Sequence, residues 1–267
     1  MTKTSYLVKE RPKVRDEVSQ PAARGLGRFV RLAKVTLVAG LGFFFTIVLV
    51  LRWVPPPTTA FMLQHQLLAR SADRVERTPR YRWVAWSEIA PELAVAVVAA
   101  EDQRFPKHRG FDFEAIGEAL DERQRSGRLR GASTISQQVA KNLFLWPGRS
   151  LARKGLEGLV TVLLELVWSK RRILEVYLNV AEFGDGVYGV GVASELFFGL
   201  PPSRLDRSQA ALLAAVLPNP KRFDAGQPSE YMCARQDWIL VQMDQLGGAA
   251  YLDGLWEPLE NLSTAAR

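Results

Sequence analysis

Apolar residues recur along this chain at helical spacing, and no segment alternates apolar and polar residues for long, as a half-buried strand would. The segment PELAVAVVAA at 91–100 begins with a proline suited to a first helical turn and is apolar nearly all round, so it should form a buried helix. Serine caps and Gly or Pro stops delimit further helices at about 112–125, 133–145, 150–168, 170–182, 208–217 and 229–247. We therefore expect a mostly α, almost all-helical domain without internal repeats.

One run, VTLVAGLGFFFTIVLVL at 35–51, is uncharged over 17 residues. That length is near the lower limit of about 17–25 residues for a membrane-spanning helix, and Trp53 follows as an interfacial anchor. A cleaved signal peptide is the alternative, but the run is long for one and no small-x-small cleavage site follows it. We predict a transmembrane anchor at 35–53, a tail at 1–34, and a folded domain at 54–267 that begins with a stiff triple-proline spacer.

Charge along the chain predicts the orientation of this anchor. Residues 1–34 contain nine basic and three acidic residues, which accounts for +6 of the net charge of +7. By the positive-inside rule the tail stays in the cytoplasm and the rest is exported. The exported part is then nearly neutral, so no nucleic-acid partner is implied. We expect residues 1–28 to be disordered, and Cys233, which cannot form an internal disulfide, to be a buried helix residue.

The segment EDQRFPKHRG at 101–110 contains the first candidate catalytic group. Glu101 ends a buried helix, where both the negative end of the helix dipole and partial burial should raise the pKa of its carboxyl group. A raised pKa suits a general base working near neutral pH. Asp102 beside it would hold the turn or bind a cation. The alternative for this acidic pair is a solvated turn.

The segment GASTISQQVAKN at 131–142 contains a polar helix face. Ser133, Gln137 and Lys141 follow each other at four-residue spacing, and Gln138 lies on the adjacent face. Such a face can bind sugar hydroxyls and a phosphate, with free N–H groups at the helix start near Ser133. An ordinary solvated face is the alternative.

A basic cluster follows at the start of the next predicted helix. Its members are Arg149, Arg153, Lys154 and Glu157. One interpretation is a set of surface ion pairs, each worth under about 1 kcal/mol. The other is a pyrophosphate site in which Glu157 lies at the edge of the core and faces a cleft.

Two other patterns limit the chemistry. The segment GDGVYG at 184–189 matches G-x-G-x-x-G, but a predicted helix precedes it where a nucleotide site needs a strand, so we interpret it as a connecting loop. His65 and His108 are the only histidines, and together with one cysteine they indicate neither a Ser-His-Asp triad nor a metal cage.

Four segments carry a family resemblance. EDQRFPKHRG, GASTISQQ, RKGLE (153–157) and KRRILEVYLN (170–179), in this order, resemble the main motifs of the peptidoglycan glycosyltransferases, glycosyltransferase family 51. AEFGDGVYGVG and ALLAAVLPNP, at 181–191 and 211–220, are also similar, and the resemblance covers about residues 55–250. The chain ends where a transpeptidase domain would begin in bifunctional members, so the resemblance is to the monofunctional form. Ser136 stands where threonine is more usual and keeps the hydroxyl.

The resemblance implies a lysozyme-like helical fold with a membrane-proximal jaw. It implies transfer of a growing glycan from undecaprenyl pyrophosphate to the 4-hydroxyl of the GlcNAc of lipid II, with inversion and a β-1,4 product, at the bacterial inner membrane. Glu101 would be the general base and Glu157 would assist at the donor site. Lys141 and Arg149 would hold the pyrophosphate with Arg153 and Lys154, and Ser133, Gln137 and Gln138 would line the donor cleft. Glu175, Tyr177 and Asn179 would be structural supports.

The resemblance implies no tightly bound cofactor, with Mg²⁺ or Mn²⁺ as an optional aid at the pyrophosphate. Expected partners are lipid II, the membrane and, less specifically, cell-wall or division proteins. Two rival functions remain at this point. A lysozyme-like lytic enzyme would need an acid but no basic cluster. A membrane-anchored cell-wall scaffold would tolerate Glu101→Gln but not changes in the membrane helix.

Overall fold

The computed structural model describes residues 22–71, 78–127, 131, 133–148 and 150–256. The chain divides into two compact units, Met1–Ile47 and Val48–Arg267. Residues 22–47 of helix α1 (Ala22–Val50) make up the described part of the first unit. Residues 22–28 are therefore helical, so the disorder predicted for 1–28 is wrong there, and residues 1–21 lie outside the described part. Within that part, the segment Arg31–Val50 is the one helix long and apolar enough to cross a membrane.

The second unit is built mainly from helices, which confirms the mostly α prediction. They are α2 (Ala60–Ser71), α3 (Pro91–Glu101), α4 (Phe113–Ser126), α5 (Ile135–Phe144), α6 (Leu151–Val167), α7 (Lys170–Val180), α8 (Val190–Phe198), α9 (Arg207–Val216), α10 (Glu230–Leu246) and α11 (Asp253–Trp256). Three short 3-10 helices occupy Trp86–Glu88, Pro202–Arg204 and Gly248–Leu252.

Helix α3 lies at the centre of the core. Every residue from Leu93 to Ala99 is buried, as the apolar segment predicted, and the helix packs against α9 and α10. Helix α5 packs against both α6 and α7. Burial of each large apolar side chain contributes about 1.5–3 kcal/mol, so the end of α3 and the start of α5 are held on a rigid base.

Two of the predicted serine caps are confirmed, and a third is wrong. Ser150 and Ser229 cap α6 and α10 as predicted, each accepting from a backbone N–H three residues on. The cap of α5 is Thr134 and not the predicted Ser133. Thr134 forms a reciprocal capping box with Gln137, which satisfies two backbone N–H groups at once. This shift leaves the side chain of Ser133 available for another contact.

A small three-stranded sheet was not predicted. Strands β1 (Arg80–Tyr81), β2 (Glu182–Gly184) and β3 (Val187–Tyr188) are ordered β1-β3-β2, with β1 parallel and β2 antiparallel to β3. Strands of two or three residues are too short to show an alternating pattern. The GDGVYG segment thus forms a hairpin, and α7 ends at Val180 because β2 begins at Glu182. At Gly189, with a φ of 78°, a Cβ would lie 2.4 Å from the carbonyl oxygen of Asn179, so only glycine fits.

Residues 48–54, just before the proline spacer, are held by the second unit to which they belong. The indole Nε1 of Trp168 donates to the carbonyl oxygen of Val48 at 2.8 Å. The guanidinium of Arg172 donates to the carbonyl oxygens of Leu51, at 2.9 and 3.1 Å, and Val54, at 2.8 Å. These donors satisfy carbonyl groups that the end of α1 leaves without helical partners.

Cys233 lies on α10, but it is exposed and not buried as expected. The inward-facing residues of α10 are Met232, Ile239 and Met243, at helical spacing. Cys233 follows Met232 directly, and one step along a helix turns a side chain by about 100° and so out of the core.

Candidate active site

Glu101 is the last residue of α3 and its side chain is 17% exposed. The amide Nε2 of Gln138 donates to its Oε2 at 2.9 Å. Tyr177, on α7, donates its hydroxyl to the amide oxygen of Gln138 at 3.2 Å, which fixes the orientation of that amide. Arg235 is further away, with 3.8 Å between its Nη2 and the carboxylate Oε1. The main partner of this carboxylate is thus a neutral amide.

Burial raises the pKa of Glu101, and this is the largest influence on it. The hydrogen bond from Gln138 and the charges of Arg235 and Lys141 partly oppose the rise in pKa, whereas Asp102 adds to it. The direction agrees with the expectation from the sequence. A carboxyl group in this setting takes up a proton more readily than one in water.

Asp102 joins the end of α3 to the start of α5. Its carboxylate accepts from the backbone N–H of Ile135 at 2.9 Å and contacts Nε2 of His108 at 2.9 and 3.0 Å. The backbone N–H of Gly110 donates to the other nitrogen of His108, so the ring proton is on Nε2 and points at Asp102. Asp102 therefore holds the turn, one of the two roles predicted for it.

A cleft of about 400 Å³ opens beside these residues. Glu101 and Ser133 line it from one side, and Trp238 and Tyr251 line it from the C-terminal part of the chain. Rings beside a carboxylate in an open cleft are suited to packing against sugar faces. Arg235, Trp238 and Tyr251 were missed in the sequence because no motif marks them. The spacing of Arg235 and Trp238 on one turn of α10 was the available signal.

The second candidate carboxylate, Glu157, is bonded to two cations. Its Oε2 accepts from Nη1 of Arg153 at 2.8 Å, and its Oε1 accepts from Nζ of Lys154. The side chains of Glu157 and Arg153 are only 3% and 10% exposed, so this is not the surface ion pair of the alternative interpretation. Lys154, 46% exposed, also donates to Oγ of Ser133 at 3.1 Å. Within the described residues, the buried Nε of Arg153 has no hydrogen-bond partner.

Lys141, on α5, interacts electrostatically with both carboxylates. Burial lowers the pKa of Lys141, and Glu157 opposes this. Arg153 and Lys154 lower its pKa further, whereas Glu101 raises it. Its Nζ lies 5.7 Å from the ring centroid of Phe61 on α2. Helix α5 thus carries side chains that interact with both Glu101 and Glu157.

The predicted site residues separate into distinct groups. Gln138 is hydrogen-bonded to Glu101. A second group is one connected cluster of Ser133, Arg153, Lys154 and Glu157. Lys141 interacts electrostatically with both carboxylates. Gln137 is buried, and its amide oxygen accepts from the backbone N–H of Thr134, so it supports the start of α5. Its predicted place in a donor cleft stays a prediction. Arg149 lies outside the described residues.

Glu175, Tyr177 and Asn179, expected to be structural supports, make hydrogen bonds that hold neighbouring segments together. The amide of Asn179 pairs with the backbone N–H and carbonyl of Val84, at 2.7 and 2.9 Å. Glu175 accepts from the backbone N–H of Trp86 and from Arg172. These bonds fix α7, and α7 supplies the Tyr177 hydroxyl that orients Gln138.

Residues 67–244, more than half of the chain, match the family model described as Transglycosylase, and the chain belongs to that family. Several curated relatives carry the name biosynthetic peptidoglycan transglycosylase. The one from Cronobacter sakazakii is 53% identical over 225 residues, which is 84% of this chain and 93% of the relative. The one from Pectobacterium carotovorum is 52% identical over 83% of this chain and 91% of its own length. The one from Pseudomonas entomophila is 53% identical over 83% and 93%.

Proposed function

We propose that this protein is a peptidoglycan glycan polymerase. It transfers a growing glycan from its undecaprenyl pyrophosphate carrier to the 4-hydroxyl of the GlcNAc of lipid II, with inversion, and forms a β-1,4 bond. Family membership and the names of the relatives support the reaction class. The mechanism rests on the carboxylate of Glu101 and the cationic cluster around Glu157, which both interact with side chains of helix α5.

Glu101 is the general base in this mechanism. Burial raises its pKa, which favours proton uptake, and it lines the cleft that we assign to the acceptor sugar. The 4-hydroxyl gives its proton to the carboxylate as its oxygen bonds to the anomeric carbon of the donor. Gln138 holds one carboxylate oxygen, which orients the other for the proton.

The cationic cluster acts on the leaving group. As the bond between the anomeric carbon and the pyrophosphate breaks, negative charge develops on the departing oxygen. Lys141, Lys154 and Arg153 stabilise that charge. Arg149 is assigned the same role from the sequence alone. Glu157 is a positioning residue that holds two of these cations, and Ser133 lines the donor side beside Lys154.

A divalent metal at the pyrophosphate stays a prediction. Both carboxylate oxygens of Glu157 are engaged by cations, and Asp102 is bonded to His108 and Ile135. These contacts do not favour a protein-held Mg²⁺ or Mn²⁺ beside the basic cluster. The cationic side chains supply the charge stabilisation that the departing pyrophosphate requires.

The proposal includes a single-pass location in the bacterial inner membrane. A lipid-linked substrate stays in the bilayer, so its enzyme benefits from an anchor, and the segment Arg31–Val50 has the required length and hydropathy. The basic residues before it support an orientation with the N-terminus in the cytoplasm and the catalytic unit in the periplasm. Binding to other cell-wall or division proteins is a prediction without structural support.

Polymerisation of labelled lipid II by the full chain in detergent tests the function, with products separated on a gel. We expect polymer from the wild type and a loss of about 10²- to 10⁴-fold in rate for Glu101→Gln, the usual contribution of a general base. Glu122→Gln is the matched control, because it makes the same change on the exposed face of α4.

Two results would contradict the proposal in different ways. Wild-type rates from Glu101→Gln would remove Glu101 as the base while leaving the reaction intact. Absence of polymer together with cleavage of purified cell-wall glycan would replace the polymerase with the lytic enzyme. A lytic enzyme would also keep its activity in Lys141→Met, whereas a polymerase loses leaving-group stabilisation in that variant.

A further inference from the structure

A third cluster of ionisable side chains lies where α2 meets the β2–β3 hairpin. His65 on α2 faces Glu182 at the start of β2 and Asp185 in the hairpin turn. The Nδ1 of His65 is 3.7 Å from Oε1 of Glu182, and its Nε2 is 4.0 Å from Oδ1 of Asp185. The cavity at this cluster is lined by neither Glu101 nor Glu157.

We propose that His65, Glu182 and Asp185 bind a divalent transition-metal ion, Zn²⁺ more tightly than Mn²⁺. One donor atom from each of the three lies within 4.8 Å of the others. Zinc bonds to imidazole nitrogen and carboxylate oxygen are about 2.0–2.2 Å long, so tetrahedral donors are separated by about 3.4 Å. Rotation of the three side chains about their own bonds would bring these donor atoms closer to that spacing.

The donor types determine the choice of metal. An imidazole nitrogen with two carboxylate oxygens suits zinc and manganese, and at such a site zinc binds more tightly than manganese. Mg²⁺ and Ca²⁺ prefer all-oxygen sites, so His65 disfavours them. Within the described part of the chain, no lysine or arginine nitrogen lies within 4.0 Å of the Glu182 carboxylate. Lys221 is a more distant positive charge that faces the same carboxylate.

The surroundings provide room and orienting groups. The three residues border a cavity of about 550 Å³. Gln64 borders the same cavity, and its buried amide oxygen has no hydrogen-bond partner within the described residues. The hydroxyl of Tyr188 lies 3.2 Å from Nδ1 of His65 and orients the ring, and the backbone N–H of Gly186 donates to Glu182. The Asp185 side chain is 37% exposed, which gives the ion and a coordinating water an entry path.

Neither histidine stands near an acidic residue of this cluster in the sequence, so only the fold reveals it. A bound ion would tie α2 to the hairpin. Helix α2 also carries Phe61, whose ring faces Lys141, so the ion would steady an element that reaches the catalytic unit's basic centre. Metal binding itself is independent of the proposed glycosyl transfer and is measured without it.

Calorimetric titration of ZnCl₂ into the full, tag-free chain in detergent, after chelator treatment, tests the site. We expect one ion per chain for the wild type, weaker binding of MnCl₂, and affinity for Zn²⁺ lowered at least about tenfold in His65→Gln and in Asp185→Asn. Asp237→Asn, the same change at an exposed position of α10, is the matched control and should bind as the wild type does. Co²⁺ should give visible absorption bands that His65→Gln lacks.

His108→Gln separates this cluster from the chain's other histidine. Binding retained in His108→Gln and weakened in Asp185→Asn supports the proposal, and circular dichroism shows whether each variant folds. Because Asp185 is partly exposed, its variant remains informative if His65→Gln fails to fold. The proposal is overturned if the wild type does not bind Zn²⁺ stoichiometrically, or if Zn²⁺ binding is lost only in His108→Gln. The cluster would then be a hydrogen-bonded brace between α2 and the hairpin.

Discussion

Glu101 and Glu157 are both largely buried carboxylates within reach of α5, yet their partners differ in charge. Glu101 receives its close hydrogen bond from a neutral amide, and the cationic Arg235 is 3.8 Å away. Glu157 is bonded directly to Arg153 and Lys154. An amide orients a carboxylate while leaving its charge uncompensated, whereas two cations neutralise it.

This difference assigns the two groups to different tasks. A carboxylate whose charge is poorly compensated gains from taking up a proton, which a general base must do. A carboxylate that is the buried counter-ion of two cations holds those cations in place, and they can then meet a pyrophosphate. Both residues are glutamates, so their different partners, and not their side-chain type, assign one to proton transfer and the other to leaving-group stabilisation. The same substitution at both positions should therefore have opposite effects on stability.

The largest effect on stability is expected for Glu157→Gln. The change leaves Arg153, buried, without its counter-ion, and removing one member of a buried ion pair costs about 3 kcal/mol. For a domain of this size the midpoint of thermal unfolding should fall by about 6–12 °C, measured by differential scanning calorimetry at pH 7.5. The double variant Arg153→Met with Glu157→Leu should lose less than the single change. An unchanged unfolding midpoint in Glu157→Gln would show that the cluster is solvated and not a buried ion pair.

The opposite sign is expected for Glu101→Gln. The pKa of Glu101 is raised in the folded state, so folding favours its protonated form. Its stabilising effect is present below the unfolded pKa and is lost as the pH rises through the folded pKa. Glutamine stays neutral, so the variant should unfold at a higher temperature than the wild type at pH 8. The difference should disappear towards pH 4.

Unfolding midpoints of both proteins from pH 4 to pH 8 measure this effect. Each kcal/mol gained in the free energy of unfolding should raise the unfolding midpoint by about 2–4 °C. Glu122→Gln, exposed on α4, should show no pH-dependent difference from the wild type. A variant less stable than the wild type at pH 8 would mean that Arg235 and Lys141 compensate the Glu101 charge fully.

Much of this fold was predictable because its helices are long and capped by short-range signals. The apolar segment that forms α3, and the serines that cap α6 and α10, are local patterns that the core reinforces. The small sheet was not predictable, since β1 and β3 are two residues each and pair across a long stretch of chain. The exposure of Cys233 depends on which face of α10 meets α3 and α9, which helical spacing alone did not decide.

The sequence could suggest candidate residues for the site but not the contacts that they make. The sequence placed Ser133, Gln137 and Lys141 on one face of a helix as equivalent polar groups. The fold gives them different surroundings, because the cap of α5 is Thr134 and Gln137 is used to complete that cap. Arg235 comes to Glu101 only through the packing of α10 on α3, a contact between distant segments that motif spacing cannot show.

A smaller effect, on proton affinity, is expected for Gln138→Met. The amide hydrogen bond lowers the pKa of Glu101, so its loss should raise that pKa further. The acidic limb of the pH–rate profile should then move to higher pH, because a general base must be ionised to work. Initial rates of lipid II polymerisation between pH 5 and pH 9 measure the shift. Gln124→Met, exposed on α4, is the matched control, and an unmoved acidic limb would mean that Gln138 binds sugar instead of tuning the base.

The smallest effect is expected for Arg235→Met, which keeps an apolar chain beside Trp238 and removes the charge. Arg235 lowers the pKa of Glu101 less than the Gln138 hydrogen bond does, so the acidic limb should again move to higher pH but by less. Because the pair is separated by 3.8 Å and partly exposed, added salt should screen it. Raising the ionic strength should therefore move the wild-type limb in the same direction and leave the variant nearly unchanged. A shift larger than that of Gln138→Met would make Arg235 the main partner of Glu101, and the contrast between an amide-held and a cation-held carboxylate would fail.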